Sequence, residues 1–338
     1  MDSLTHIAIG ACMGELFAGK QIGKRAMLLG AIAQSVPDID FITSFWMGTS
    51  ENLLAHRGFT HSILFALLVS PVLGLLAERW RRPHDITWGK WTLFFLVQAL
   101  IHLLIDGMNV YGVGWFEPFH HHRVAYNWIF VADPLYSIWP GLALIMLLWL
   151  PRKDYRRKKW VIFGMGLSTL YLVLCGINKM QIDREVRSML VKQKGLPNNY
   201  FTTPTALNNM LWYVVADYDS GYQVGYRSVL DKSDTLSLQY FPRQAHLLKQ
   251  VSDQEDLQRL IRFSKGYYTI ENRSDSLVFN DLRFGQMAGW SDPQAPFVFY
   301  YYLQHPSANE FVVQRGRFAR WNRETVKSLW RRMGGKQP

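Results

Sequence analysis

Cysteine is almost missing. Of 338 residues only Cys12 and Cys175 are cysteine, and both sit inside apolar stretches. Two such thiols exclude a disulfide-stapled scaffold and a Cys-rich zinc module. Charge is missing too, but only locally: residues 134–150 and 160–178 hold no formally charged side chain, whereas residues 179–338 carry 22 Lys/Arg and 15 Asp/Glu. The chain starts without the basic n-region and small-residue cleavage site of a signal peptide, and it reaches Glu15 after a run of mostly apolar residues, so the N-terminus is expected to be retained. Internal repeats and low-complexity tracts are absent as well, which excludes solenoids and disordered arrays.

What is present is a set of apolar segments. Residues 58–77, 91–105, 134–150 and 160–178 are candidate spanning helices, since roughly 17 to 25 residues cross a bilayer. Two shorter segments, 4–18 and 26–37, precede them. The expectation is a polytopic α-helical membrane domain of about six apolar helices, the first two short, over residues 1–178. Lys/Arg in alternate loops number thirteen (Lys20, Lys24, Arg25; Arg79, Arg81, Arg82, Lys90; Arg152, Lys153 and residues 156–159) against two (Arg57 and Arg123). The positive-inside rule then puts the basic loops in the cytoplasm and the other loops, with everything after residue 179, outside. The net charge of +11 is thus explained by topology, and no nucleic-acid partner is expected.

Residues 179–204 read as a linker and residues 205–338 as a small α+β extracytoplasmic domain. Runs such as 211–215, 222–226, 236–240 and 297–302 are rich in aromatic and β-branched residues and bounded by Asp, Gly, Ser or Pro, as strands are. Asp219-Ser220-Gly221 suits a hairpin turn. Residues 245–263 show helical spacing, with Ser252 as the expected N-cap and Glu255 three residues on.

Ionisable side chains beside apolar helices are costly and need a reason. His6, Asp38, Asp40, His56, His61, His102, Asp106 and Asp133 are such residues. Each alone has a plain reading, for example Asp133 as the N-cap of a helix. Together they fall at the outer ends of their segments and can converge on one depth. His102 and Asp106, four apart, project from one helix face and suit chelation of one ion. His and carboxylate donors without thiolate suit Zn²⁺, Mn²⁺ or Fe²⁺. Seven candidate metal ligands (His6, Asp38, Asp40, His56, His61, His102 and Asp106) exceed the four of one tetrahedral zinc, so one or two ions are expected. Arg57, between His56 and His61, could fork onto a phosphate. His120-His121-His122 cannot all point one way and are left outside the site; His84, His246 and His305 read as packing or surface residues.

The opening MDSLTH, then PDID, HRGFTHS, and IHLLID followed by NVYG, resemble the YdjM-like family of bacterial inner-membrane proteins described as metal-dependent hydrolases. DPLY at 133–136 extends the likeness, and PTALNNMLW leading into DSGYQVGYRSVLD is similar to the soluble tail of many members. The triple His before Asp133 departs from the family's pattern. The resemblance implies an inner-membrane metal-dependent hydrolase whose ion is bound by the His and Asp residues of those motifs.

The expected function is therefore metal-assisted hydrolysis at the outer face of the inner membrane, with Arg57 and Asp133 as further catalytic residues and membrane lipids or a lipid-linked or phosphate ester as partners. The alternative is a metal-binding transport protein using the same residues, although transporters tend to show repeats and helices broken at the midplane.

Overall fold

The computed structural model describes residues 1–80, 86–273, 276–304, 318 and 321–336. Arg81, Arg82, His84 and His305 lie outside the described residues. The chain forms two compact units, one of residues 1–46 and 55–175, the other of residues 47–54 and 176–338.

The first unit opens with α1 (Ser3–Ile22) and α2 (Arg25–Ser35), an antiparallel pair joined at Gly23, whose positive φ turns the chain and whose N–H caps α1 on the Gly19 carbonyl. Glycine lets these two helices touch: a Cβ at Gly10 would run into the Gly30 carbonyl, and one at Gly30 into that of Gly10. Small residues that allow such approach are the usual means of packing helices in lipid. A 3-10 segment, Pro37–Phe45, follows. Then come α4 (Ile63–Trp80), α5 (Trp88–Gly107), α6 (Pro134–Trp149) and the start of α7 (Arg156–Lys194), while the short α3 (Thr49–Ala55) lies mostly in the second unit. Three of these helices, α4, α5 and α7, are long and apolar enough to cross a membrane. Their side chains are inverted relative to a water-soluble bundle: Leu67, Leu76, Leu93, Leu100 and Leu170 are exposed, whereas Gln98, His102 and Asp106 are buried.

The expected count of about six apolar helices is not confirmed at membrane-span length, which three of the described helices reach; α6 has 16 residues and α2 has 11. The first helix is also not short. It runs 20 residues and passes through Glu15, whose carboxylate meets Arg157 in a two-pronged pair (Nε–Oε1 2.7 Å, Nη2–Oε2 2.7 Å). Arg157 further donates to the Leu147 and Leu150 carbonyls at the end of α6, at 2.6 and 2.8 Å. The acid that interrupts the apolar run is thus neutralised inside the protein.

The second unit holds two antiparallel sheets. Strands β1 (Asn199–Pro204), β2 (Leu211–Tyr218), β3 (Gly221–Ser228) and β4 (Leu238–Pro242) pair in sequence order, and so do β5 (Tyr268–Arg273), β6 (Ser276–Gln286) and β7 (Phe297–Tyr302). Strand alternation puts both faces of β2 to use. Trp212, Val214 and Ala216 pack on Ile182, Val186, Met189 and Leu190 of α7, while Tyr213 and Val215 pack with Tyr267, Leu282 and Phe297 of the second sheet region. Residues 179–204, expected as a linker, are instead helix to Lys194 and then β1, because α7 carries an apolar stripe that covers the sheet. The expected helix over 245–263 divides into a 3-10 turn, Ala245–Gln250, and α8 (Gln254–Phe263). Its cap is Asp253, one residue after Ser252, accepting from the Asp256 N–H. The described part of the chain ends in α9 (Arg323–Met333).

Candidate metal centre

Three chain segments of the first unit meet at the centre. Pro37 starts the 3-10 segment with its fixed φ, and the tight winding aims Asp38 and Asp40 inward while Ile39 and Phe41 stay exposed. Arg57 takes a left-handed backbone (φ 58°), a cost offset by its N–H donating to Asp40 Oδ2 at 2.7 Å. That turn leads into the short 3-10 piece Phe59–His61. The last two turns of α5 supply His102 and Asp106 on one face.

Asp38, His61, His102 and Asp106 form a group that could hold a metal ion. His61 Nε2 lies 3.2 Å from His102 Nε2, and each of these nitrogens lies 3.5 Å from Asp38 Oδ1 and 3.5 Å from Asp106 Oδ2. A tetrahedral zinc site with bonds of about 2.0–2.1 Å has donor–donor edges of roughly 3.3–3.4 Å. Five edges of this four-donor figure therefore match what one small divalent ion requires.

The protons point to the same conclusion. His102 Nδ1 is 2.6 Å from the Gln34 carbonyl, which can only accept, so the proton is on Nδ1 and Nε2 carries a lone pair. His61 Nδ1 faces Asp40 Oδ2 at 3.3 Å and Thr60 Oγ1 at 3.1 Å, so its Nε2 is likewise a lone pair. Two imidazole lone pairs and two carboxylate oxygens facing one point repel one another, and a cation between them removes that repulsion. Asp106 Oδ2, buried, accepts no hydrogen bond. A ligand imidazole tied through its other nitrogen to a carbonyl or carboxylate is the usual outer arrangement of a metal site.

The other expected residues surround this group. Asp40 bridges His61 and His56, with Oδ1 3.2 Å from His56 Nδ1, and Thr60 Oγ1 adds a donor at 3.4 Å. Burial pushes the Asp40 carboxyl up, but its hydrogen bonds with His56 and His61 outweigh that and hold it below the usual carboxylate range. His6 stacks on His102 at 3.9 Å and sets Nε2 3.2 Å from Asp106 Oδ1, which the Met1 amino group also contacts. Arg57 is not open to a substrate phosphate. It is buried, with Nε 3.1 Å from Asp106 Oδ2, Nη1 donating to Asn109 Oδ1 at 3.1 Å and Nη2 to the Met1 carbonyl at 3.3 Å. Asp133 is the N-cap of α6, accepting from the Leu135 and Tyr136 N–H groups and from the Tyr171 hydroxyl at 2.9 Å, so its carboxylate is spent on structure. In the loop before it, His121 pairs with Glu117 at 2.7 Å and is exposed.

Sequence reasoning passed over Gln34, Thr60, Gln98 and Asn109. Gln98 was within reach, because it is four residues before His102 and eight before Asp106 and so shares their face. The Gln34 contribution is a backbone carbonyl, which leaves no trace in residue type.

The chain is 30% identical over 173 residues to the inner membrane protein YbcI of Escherichia coli (strain K12), a match covering 44% of this chain and 98% of that protein. It is 26% identical over 203 residues to the protein YfhP of Bacillus subtilis (strain 168), covering 56% of this chain and 58% of that protein. No solved structure matches it. Residues 1–182, more than half of the chain and the whole of the candidate metal centre, match the family described as YdjM inner membrane protein, and the chain belongs to that family.

Proposed function

We propose that the protein is a multi-pass inner-membrane hydrolase that uses one divalent ion, zinc by preference, held by Asp38, His61, His102 and Asp106 at the outer face. The observation that carries this reading is the pair of Nε2 atoms 3.2 Å apart, on rings whose Nδ1 atoms face acceptor oxygens, closed by two carboxylate oxygens at 3.5 Å. Two His and two Asp offer nitrogen and oxygen without thiolate, a donor set suited to zinc, manganese or iron. Such an ion, when bound, acts as a Lewis acid and lowers the pKa of water toward neutrality.

The protein's own groups supply the rest. Asp40 and the Gln34 carbonyl hold His61 and His102 in the tautomers that ligation needs. Arg57 and His6 orient and partly neutralise Asp106. His56, with its side chain 37% exposed and Nδ1 on Asp40, is the group placed to hold or move a proton at Nε2. Asp38, 28% exposed, marks the way in.

The substrate class follows from the surroundings of that entrance. Phe41, Phe45, Trp46 and Phe59 are exposed on the segments that carry the ligands, as aromatic residues at headgroup depth are. An ester or phosphate ester on a lipid fits such a mouth. The alternation of thirteen against two basic residues in the loops supports an outer position for the centre and for residues 179–338. The test is metal analysis of the purified protein together with a panel of lipid phosphate and acyl esters. A metal-loaded, folded protein that hydrolyses none of them but moves divalent ions across liposomes refutes the hydrolase. A reporter after residue 338 that is active only in the cytoplasm refutes the orientation.

A further inference from the structure

One helical turn from the metal ligands lies a second group of polar side chains, of which the proposed chemistry uses only His6. Gln98 precedes His102 by four residues on α5 and donates from Nε2 to the Gly10 carbonyl at 3.3 Å. A Cβ placed on Gly10 would touch the Gln34 Cβ, so Gln34 lines the same space. His6 is one turn before Gly10 on α1 and stacks against His102, whose Nδ1 faces the Gln34 carbonyl. All three are buried, Gln34 and Gln98 completely, with His6 at 1%.

Four of their polar atoms have no hydrogen-bond partner: Gln34 Oε1, Gln34 Nε2, Gln98 Oε1 and His6 Nδ1. Orphaned buried groups in that number, on side chains that gather around Gly10, are rare in folded proteins and call for a ligand. Its chemistry can be read from the set. His6 Nε2 faces a carboxylate, so it carries the proton and Nδ1 is an acceptor. The site thus offers three acceptors and one donor, all neutral, with no carboxylate of its own to balance a cation. Water, which donates twice and accepts twice, fits; a metal ion does not.

We propose that Gln34, Gln98 and His6 form a buried water site, and that its water sets the metal centre. Donation to Nδ1 fixes His6 in the Nε2–H tautomer, Nε2–H holds Asp106 Oδ1, and Asp106 Oδ2 is left for the ion. This rests on the reading of Asp106 as a metal ligand. His6 is then a positioning residue and not a ligand.

Two measurements test this. In wild-type protein labelled with ¹⁵N-histidine, His6 Nδ1 should give the signal of an unprotonated nitrogen accepting a hydrogen bond and show magnetisation transfer from water; a His6 resonance with no water contact overturns the proposal. Gln34→Met and Gln98→Met keep side-chain length while removing the amide. Each should weaken Co²⁺ binding about 10- to 100-fold, the usual effect of outer-shell loss, without loss of the folded melting transition. Variants that bind Co²⁺ as the wild type does and melt higher would show a dry pocket relieved of unsatisfied groups, and would also overturn it. If a Met variant does not fold, the wild-type NMR result decides. If the wild type binds no Co²⁺, the metal reading fails, and the NMR result still decides whether the water is there.

Discussion

Replacing Asp40 by Asn separates two roles that residue type alone cannot. The Asp40 carboxylate is 3% exposed and serves the Arg57 N–H at 2.7 Å, His56 Nδ1 at 3.2 Å, His61 Nδ1 at 3.3 Å and Thr60 Oγ1 at 3.4 Å. Asn has the same shape but one acceptor oxygen and no charge. Three of the four donors converge on Oδ2, so the amide oxygen should turn there and present its NH₂ to His56. His61 then keeps its orientation but loses a charged partner. Loss of an outer carboxylate typically weakens metal binding about 10- to 100-fold, or about 1.4 to 2.8 kcal/mol. Competition with a chromophoric chelator gives the affinity, and elemental analysis gives the stoichiometry, which should stay at one ion per chain. An affinity within about twofold of wild type would refute the orienting role. A fall from two ions to one would make Asp40 a ligand of a second ion and refute the single-ion centre.

Three further outcomes follow from the geometry. His102→Ala and Asp106→Ala should each remove most of the metal, and the double variant should lose little more, because in the proposed centre both would face one ion; His120→Ala should leave the content intact by the same elemental analysis. Glu15→Ala strands Arg157 as a buried charge and should cost about 3–5 kcal/mol in detergent unfolding, whereas Glu15→Leu with Arg157→Met should recover part of that; a single-variant cost near zero would contradict the buried pair. Asp133→Ala removes the cap of α6 and should cost about 1 kcal/mol in the same assay with unchanged metal content, and loss of the ion would return Asp133 to the centre.

The residues that meet at the centre could be read from the sequence because membrane burial makes every ionisable side chain conspicuous, and because His102 and Asp106 advertise a shared face by their spacing. Their division of labour could not. Asp40 engages Nδ1 of both His56 and His61, and only the fold brings the His61 Nε2 beside Asp38, His102 and Asp106, while the tautomer of His102 is fixed by a carbonyl that any residue at position 34 would possess. Arg57 looked available for an anion because its partners, Asp106 and Asn109, are some fifty residues away in the chain. The helix and strand over residues 179–204 escape a reading of the sequence for a different reason. Ile182, Val186, Met189 and Leu190 fall at helical spacing among charged residues, an amphipathic stripe that was legible but masked by the loss of membrane-like hydropathy after residue 178.

The second unit is not contiguous in the chain. Residues 47–54 belong to it, although they stand between the Asp40 and His56 of the first unit. Ser50, buried, donates to Asp256 of α8, and Asp256 is held in turn by Arg259 at 3.1 Å and by the Tyr301 hydroxyl at 3.3 Å. Residues 176–338 made alone would therefore leave Asp256 without the Ser50 hydroxyl. Anyone dissecting the protein by truncation would find that cutting away the sheets also uncovers Ser50 and Leu53, so the shortened chain reports on a damaged loop as well as on a missing domain.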